Sequence, residues 1–227
     1  MDELLLPDAS WSAAPTGASV GAIALAGAAN PAGDATIAAL ADRLEADLRA
    51  RYGGLDRAAL LATAPYAAYA AWYRRFGQRY HVALQLESIV KKGKGIPRVA
   101  ALVEAMFLAE LDHGILTAGH DGDAVALPFR AGVGSGAESY RGPGGSETAV
   151  KAGDLFAADA GGVLSAIVTG PSDRARIGPA TTAALYVAYA PPGVSAATID
   201  AHLDAIAAIV RAVSPAATVA GRNVVTA

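Results

Sequence analysis

The 227-residue chain carries 18 basic and 21 acidic side chains for a net charge of −3, with 17% charged and 53% hydrophobic residues. It is long enough to bury most of the surface its unfolded form exposes, and length alone leaves one large domain or two small ones open. With no cysteine, thiol catalysis, Cys-ligated zinc and disulfides are excluded.

Much of the apolar share is alanine, which suits tight helix packing. Val20–Ala26 reads as a short buried strand bounded by glycines. Asp34 is the expected N-cap of an amphipathic helix to about Arg51, with Ile37, Leu40, Leu44 and Leu48 on one face and Gly53-Gly54 at its end. Leu55–Phe76 repeats the design: Asp56 caps it, Pro65 breaks it once and Gly77 stops it. A shorter helix is expected over Glu87–Lys92. The strongest runs over Arg98–Asp112, with a stripe of Val99, Leu102, Val103, Met106, Phe107 and Leu111, closed by His113-Gly114.

Beyond Asp121 the texture changes. Ala124–Pro128, Leu155–Asp159, Gly162–Thr169 and Thr181–Tyr189 read as strands with Gly-rich turns between them, and the Gly-rich stretch Ala131–Ser146 as the longest loop. Ser195 caps a final helix with Ile199, Leu203, Ile206, Ile209 and Val210 inward. Helices, then strands, then one closing helix predict an α+β layered fold. No repeat and no clear linker divides the chain, so 1–227 is read as a single domain.

No run of about 18 strongly apolar residues is present. Ala18–Ala29 is short, Gly-rich and stopped by Asn30-Pro31. Met1-Asp2-Glu3 is acidic where a secretory signal would be basic. A soluble cytoplasmic protein without membrane partners is expected, and the Ala-rich helices offer a face that a homo-oligomer could bury.

Charge is distributed unevenly. From Arg74 to Arg98 stand Arg74, Arg75, Arg79, Lys91, Lys92, Lys94 and Arg98 against Glu87 alone, seven bases to one acid and +6 locally. Such a segment attracts phosphate whatever the base sequence, and Trp72, Tyr73, Phe76 and Tyr80 beside it read either as stacking faces or as core. Arg74, Arg75, Lys91, Lys92, Lys94 and Arg98 are the candidate phosphate-binding residues. Other constellations are weaker. His113, His120, Asp121 and Asp123 lack a third well-spaced ligand, so no metal is predicted and a helix-ending turn is expected, with Asp121 holding it through backbone hydrogen bonds. Gly132-Val133-Gly134-Ser135-Gly136 lacks the context of a dinucleotide loop, a P-loop or a nucleophile elbow. No cofactor is implied.

Three segments together resemble the tRNA-editing domain of the phenylalanyl-tRNA synthetase beta chain, and its free-standing relatives more closely. The first is Trp72-Tyr73-Arg74-Arg75-Phe76-Gly77 with Glu87-Ser88-Ile89-Val90-Lys91-Lys92-Gly93-Lys94-Gly95-Ile96-Pro97-Arg98. The second is the helix from Val99 into His113-Gly114-Ile115-Leu116, ending at Asp121. The third is Gly153–Gly162 with Asp173-Arg174-Ala175-Arg176-Ile177 and Thr181-Thr182-Ala183-Ala184-Leu185. They run from about Leu60 to the C-terminus. The resemblance implies three layers, a β-sandwich of unusual topology flanked by helices, and a cleft for the aminoacylated end of a tRNA.

Carried over by position, the family pocket's helical asparagine falls on Phe107 and its histidine on Ala118, with His120 two residues on. The acid that reads the substrate hydroxyl falls on Asp173, and a threonine on Thr181. Rejecting phenylalanine while accepting tyrosine requires a buried polar partner for the hydroxyl, and neither Phe107 nor Ala118 supplies one. A pocket altered this way suits a more apolar acyl group, or no catalysis, and no catalytic residue is assigned. Three functions remain open at this point. One is a trans-acting hydrolase of mischarged aminoacyl-tRNA. The second is a non-catalytic module that binds RNA, tRNA or an amino acid. The third is a small-molecule protein on a reused scaffold.

Overall fold

The computed structural model describes residues 3–227, so Met1 and Asp2 of the acidic leader lie outside them. Asp34 accepts the backbone N–H groups of Thr36 and Ile37, starting α1 (Ala35–Tyr52) as expected. Asp56 does the same for α2 (Arg57–Ala62) through Ala59 N. Pro65 ends that helix early, and α3 (Tyr66–Arg74) follows. α4 (His81–Lys92) begins six residues before the expected Glu87, and Gly93 closes it in the left-handed region at φ 67°. α5 (Ala101–His113) is closed the same way by Gly114.

The strands are β1 (Leu5–Pro7), β2 (Ser19–Ala26), β3 (Thr117–Asp121), β4 (Phe129–Val133), β5 (Ser139–Arg141), β6 (Glu147–Ala149), β7 (Leu155–Asp159), β8 (Gly162–Ala166), β9 (Gly170–Pro171), β10 (Ala183–Ala190) and β11 (Thr218–Thr226). α6 (Ala196–Val213) precedes the last of them and is capped by Ser195. One sheet has the order β11-β2-β10-β3 and is antiparallel throughout. A second has the order β1-β4-β7-β8-β9, with β1 and β4 parallel, and β5 and β6 form a separate hairpin.

The four-stranded sheet is the middle layer. α6 packs on β2, β10 and β11, and α5 packs on α6, α1 and β3. On the opposite face Ser165 of β8 meets His120 of β3 at 3.1 Å and Tyr189 of β10 at 2.7 Å, pinning the second sheet to the first. The architecture is therefore α+β, a two-sheet sandwich with helices laid against one sheet. Covered on both faces, β2 and β10 read as near-continuous apolar runs rather than alternating ones. Gly21 of β2 allows α6 to sit close, since a Cβ there would stand 2.4 Å from Ile199 Cγ2. α3 ties helices to strands: Tyr69 O–H donates to Tyr189 O, Trp72 Nε1 to Asp154 Oδ1 at 2.9 Å and Tyr73 O–H to Ile167 O at 2.7 Å.

Two expectations are corrected and one open alternative is decided. Ala124–Pro128 is not a strand: a short 3-10 turn at Gly122–Ala124, capped by Asp121, leads to β4, and Pro128 has no N–H to give a ladder. Ala131–Ser146 is not one loop, for it holds the end of β4 and all of β5. Trp72, Tyr73 and Tyr80 are not stacking faces, because all three rings are buried in the main core.

Candidate functional site

β3 is the outer strand of its sheet, reached from α5 through the turn at Gly114. The segment after β9 returns past the same edge, where Asp121 N–H donates to Ala175 O at 2.9 Å. Between these elements lies a cleft of about 300 Å³. Val103, Met106, Phe107 and Glu110 of α5, Thr117, Ala118 and Gly119 of β3, and Pro171, Arg176 and Ile177 form its walls, with His81 and Gln85 of α4 at the side. The expected apolar stripe of α5 is therefore split. Leu102 and Leu111 are core and Val99 is exposed, while Val103, Met106 and Phe107 are half-buried in the cleft wall.

Glu110 is the polar feature of this apolar hollow, and it was not foreseen from sequence. It is only 2% exposed. Its Oε1 accepts Thr117 N–H at 2.7 Å, and this is the carboxyl's sole hydrogen bond among the described residues. Burial carries the carboxyl from 4.5 to about 8, opposed by the Thr117 bond, so it is largely protonated at neutral pH. The sequence signal was available but ambiguous: an acid inside an apolar helical run faces either solvent or a site.

Behind Thr117 a second buried polar chain leads away from the cleft. Thr117 Oγ1 lies 2.6 Å from His202 Nε2, and His202 Nδ1 lies 3.2 Å from His113 Nδ1. Desolvation and the neighbouring His113 push His202 down to about 3, so it stays neutral. His120 does not face the cleft: it is fully buried between the sheets against Ser165, and desolvation lowers it to about 4. His120, two residues beyond Ala118, therefore brings no imidazole to the cleft.

The four residues carried over by resemblance are partly brought together. Phe107 and Ala118 line one cleft. Asp173 is not in its lining but pairs at 2.6 Å with Arg176, which is. Thr181 is outside: its hydroxyl donates to Asp121 Oδ2 at 2.7 Å and accepts Gly178 N–H at 2.9 Å, bracing the turn before β10. Asp121 is structural in the same way, accepting Asp123 N–H at 3.2 Å. Arg174 is consumed by Asp159 and by the carbonyls of Ala124 and Gly162.

The basic residues divide by what occupies them. Arg98 is engaged by Asp42 at 2.7 Å, Glu45 at 3.6 Å and Glu104 at 3.9 Å. Lys91 donates to Gly53 O at 2.7 Å. Arg75 lies over the Trp72 ring, 4.3 Å from its centroid. Arg74, Arg79, Lys92 and Lys94 are exposed and make no ion pair among the described residues. Arg74 and Arg79 line a hollow with Arg57, and Lys92 lines another with Lys91. Lys94, with Gly95 and Pro97, lines a third that shares His81 and Gln85 with the cleft.

No group of three or more His, Asp or Glu that could hold a metal ion occurs among the described residues, and no helix there is long and apolar enough to cross a membrane. No family model and no curated protein matches the chain. Among solved structures it is similar to an N-terminal fragment of the phenylalanyl-tRNA synthetase beta-subunit from Pyrococcus horikoshii, at TM-score 0.44 and 14% identity. That distant likeness spans 54% of this chain and 41% of the fragment.

Proposed function

We propose that the chain is an editing-like protein that takes the aminoacylated 3′ end of a tRNA and hydrolyses the ester of an apolar amino acid. The observation that carries this reading is continuity. The cleft walled by Phe107 and Ala118 shares His81 and Gln85 with the hollow of the Lys94 bend, so an acyl receptacle and a phosphate-attracting surface adjoin. Met106, Phe107, Ala118 and Ile177 fit an aliphatic or unsubstituted aromatic side chain, whose burial contributes on the order of 2 kcal/mol. None of these four side chains offers a partner for a tyrosine hydroxyl. Lys92, Lys94 and Arg74 supply phosphate attraction, which is electrostatic and salt-dependent. Hydrolysis requires a water against the ester carbonyl, and on this reading Arg176, His81 and Gln85 of the lining hold it.

A second reading is favoured by one feature: His120 is sealed away, so β3 brings no imidazole to the cleft, and His81 of α4 is the histidine that lines it. On that reading the protein binds aminoacyl-tRNA without cleaving it. A panel of tRNAs charged with leucine, valine, phenylalanine and tyrosine separates the two. Release of apolar amino acids well above the rate in buffer, with tyrosine released least, supports hydrolysis. Binding of charged tRNA with no release on any member leaves the binding module, and absence of both ends the tRNA assignment.

A further inference from the structure

We infer that Glu110 is the recognition group for the α-ammonium of the ligand's amino acid, so that the cleft admits α-amino acyl groups and rejects acyl groups without a charged amine. This deepens the function proposed above and rests on the same cleft. One carboxyl oxygen of Glu110 is open to a ligand donor. A carboxyl only 2% exposed lines an otherwise apolar wall, with one oxygen bound to Thr117 N–H and the other without a partner among the described residues. Nearby polar groups do not complete it. The hydroxyls of Tyr69, Tyr73 and Tyr80 are given to the carbonyls of Tyr189, Ile167 and Gly114. Arg176 is held by Asp173, His81 by its contact with Tyr73 at 3.3 Å, and His202 lies behind Thr117.

That second oxygen is not sealed from the cleft that Glu110 lines, so a ligand there can supply its donor. The ligand's chemistry follows from the surroundings. One carboxylate, with no second acid in the lining, is too few for a divalent ion, which needs several oxygens. An organic ammonium needs one carboxylate and tolerates an apolar neighbourhood, and the rest of the ligand must then be apolar to meet Met106, Phe107 and Ile177. An amino acyl ester has this form.

Charge pairing also predicts a proton balance. Glu110 and a free α-amine both titrate at about 8. Near neutral pH both are protonated when apart, whereas the ion pair holds one proton fewer. Binding therefore releases about one proton.

The test uses leucinamide as probe, with 4-methylpentanamide (no amine) and 2-hydroxy-4-methylpentanamide (hydroxyl in its place) as controls. Isothermal titration calorimetry is run at about pH 7 in two buffers of different ionisation enthalpy. Leucinamide is expected to bind at least about tenfold more tightly than either control, with release of about one proton. In Glu110→Gln that preference falls to about twofold or less. Equal affinity for the three amides, no binding of leucinamide, or an undiminished preference in a folded Glu110→Gln protein each overturns the inference. If Glu110→Gln does not fold, the wild-type protein decides, since tenfold preference without proton release also overturns it. The tRNA panel is independent of these outcomes: deacylation with no amine preference removes the role of Glu110 and leaves the proposed function standing.

Discussion

Replacing Glu110 with glutamine is expected to stabilise the protein at alkaline pH and do little at acidic pH. Glutamine keeps the side-chain carbonyl that accepts Thr117 N–H at 2.7 Å in the native protein and removes the ionisable proton. The native carboxyl titrates at about 8 against 4.5 when free of the fold. The native state therefore holds its proton through neutral pH while the unfolded chain has lost it, and stability from this group falls as pH rises from 4.5 to about 8. By linkage the full effect is on the order of 5 kcal/mol above about pH 8 and vanishes below about pH 4.5. Urea denaturation at about pH 5, 6, 7 and 8, with midpoints compared at constant m, reads it directly. Midpoints that coincide at the acid end and diverge steadily toward pH 8, with the variant ahead, support the reasoning. A difference independent of pH, or a wild type more stable at pH 8, refutes it.

The buried imidazole at 202 gives the opposite slope. Native His202 titrates at about 3 against 6.5 in the unfolded chain, so wild-type stability is lost as pH falls from 6.5 toward 3, and His202→Gln should flatten that limb of a melting-temperature profile. Gly21→Ala places a methyl 2.4 Å from Ile199 Cγ2 and should cost about 1–3 kcal/mol; in a double-mutant cycle with Ile199→Ala the losses should be clearly less than additive. Asp154→Ala leaves Trp72 Nε1 and Val168 N–H without their acceptor and should cost about 2–4 kcal/mol by chemical denaturation. For tRNA binding, Lys92→Ala and Lys94→Ala should each reduce the salt dependence by about one counterion. Lys91→Ala and Arg98→Ala should change it less, because those cations are already occupied by Gly53 O and by Asp42, Glu45 and Glu104.

Much of the fold was readable because it follows local rules. Asp34, Asp56 and Ser195 cap the helices they were expected to cap, and Pro65 breaks the chain where it was expected to. β2, β7 and β10 lie where apolar runs put them. What was missed depends on tertiary partners. β3 is Thr-Ala-Gly-His-Asp, with no strand signature, and exists because β10 offers a full antiparallel edge. β1 is three residues long and is defined by β4, which lies far along the chain. β11 is a half-exposed outer strand fixed by β2.

The same division holds for the site. Phe107 and Ala118 were placed together by resemblance and line one cleft. Thr181 and Asp121 look equally polar in sequence but spend their groups on each other, which only coordinates reveal. Conversely, Glu110 sits in a run that periodicity assigns to a helix without saying which face is wet. The basic segment illustrates the limit of counting charge: a local excess of +6 does not show that Arg98 is bound by three carboxylates while Lys94 is free of them.

The central claim is that the cleft beside β3 receives the acyl group of a charged tRNA. A Cβ on Gly119 would come within 3.0 Å of Ile177 Cδ1 and 3.3 Å of Met106 Sδ, both in the cleft wall, so Gly119→Val fills that space. The decisive measurement compares wild type and a folded Gly119→Val protein on leucyl- and phenylalanyl-tRNA, with affinity for uncharged tRNA measured alongside. The account predicts that release of amino acid falls at least about tenfold while binding of uncharged tRNA is unchanged. Release at the wild-type rate from the filled cleft would contradict it.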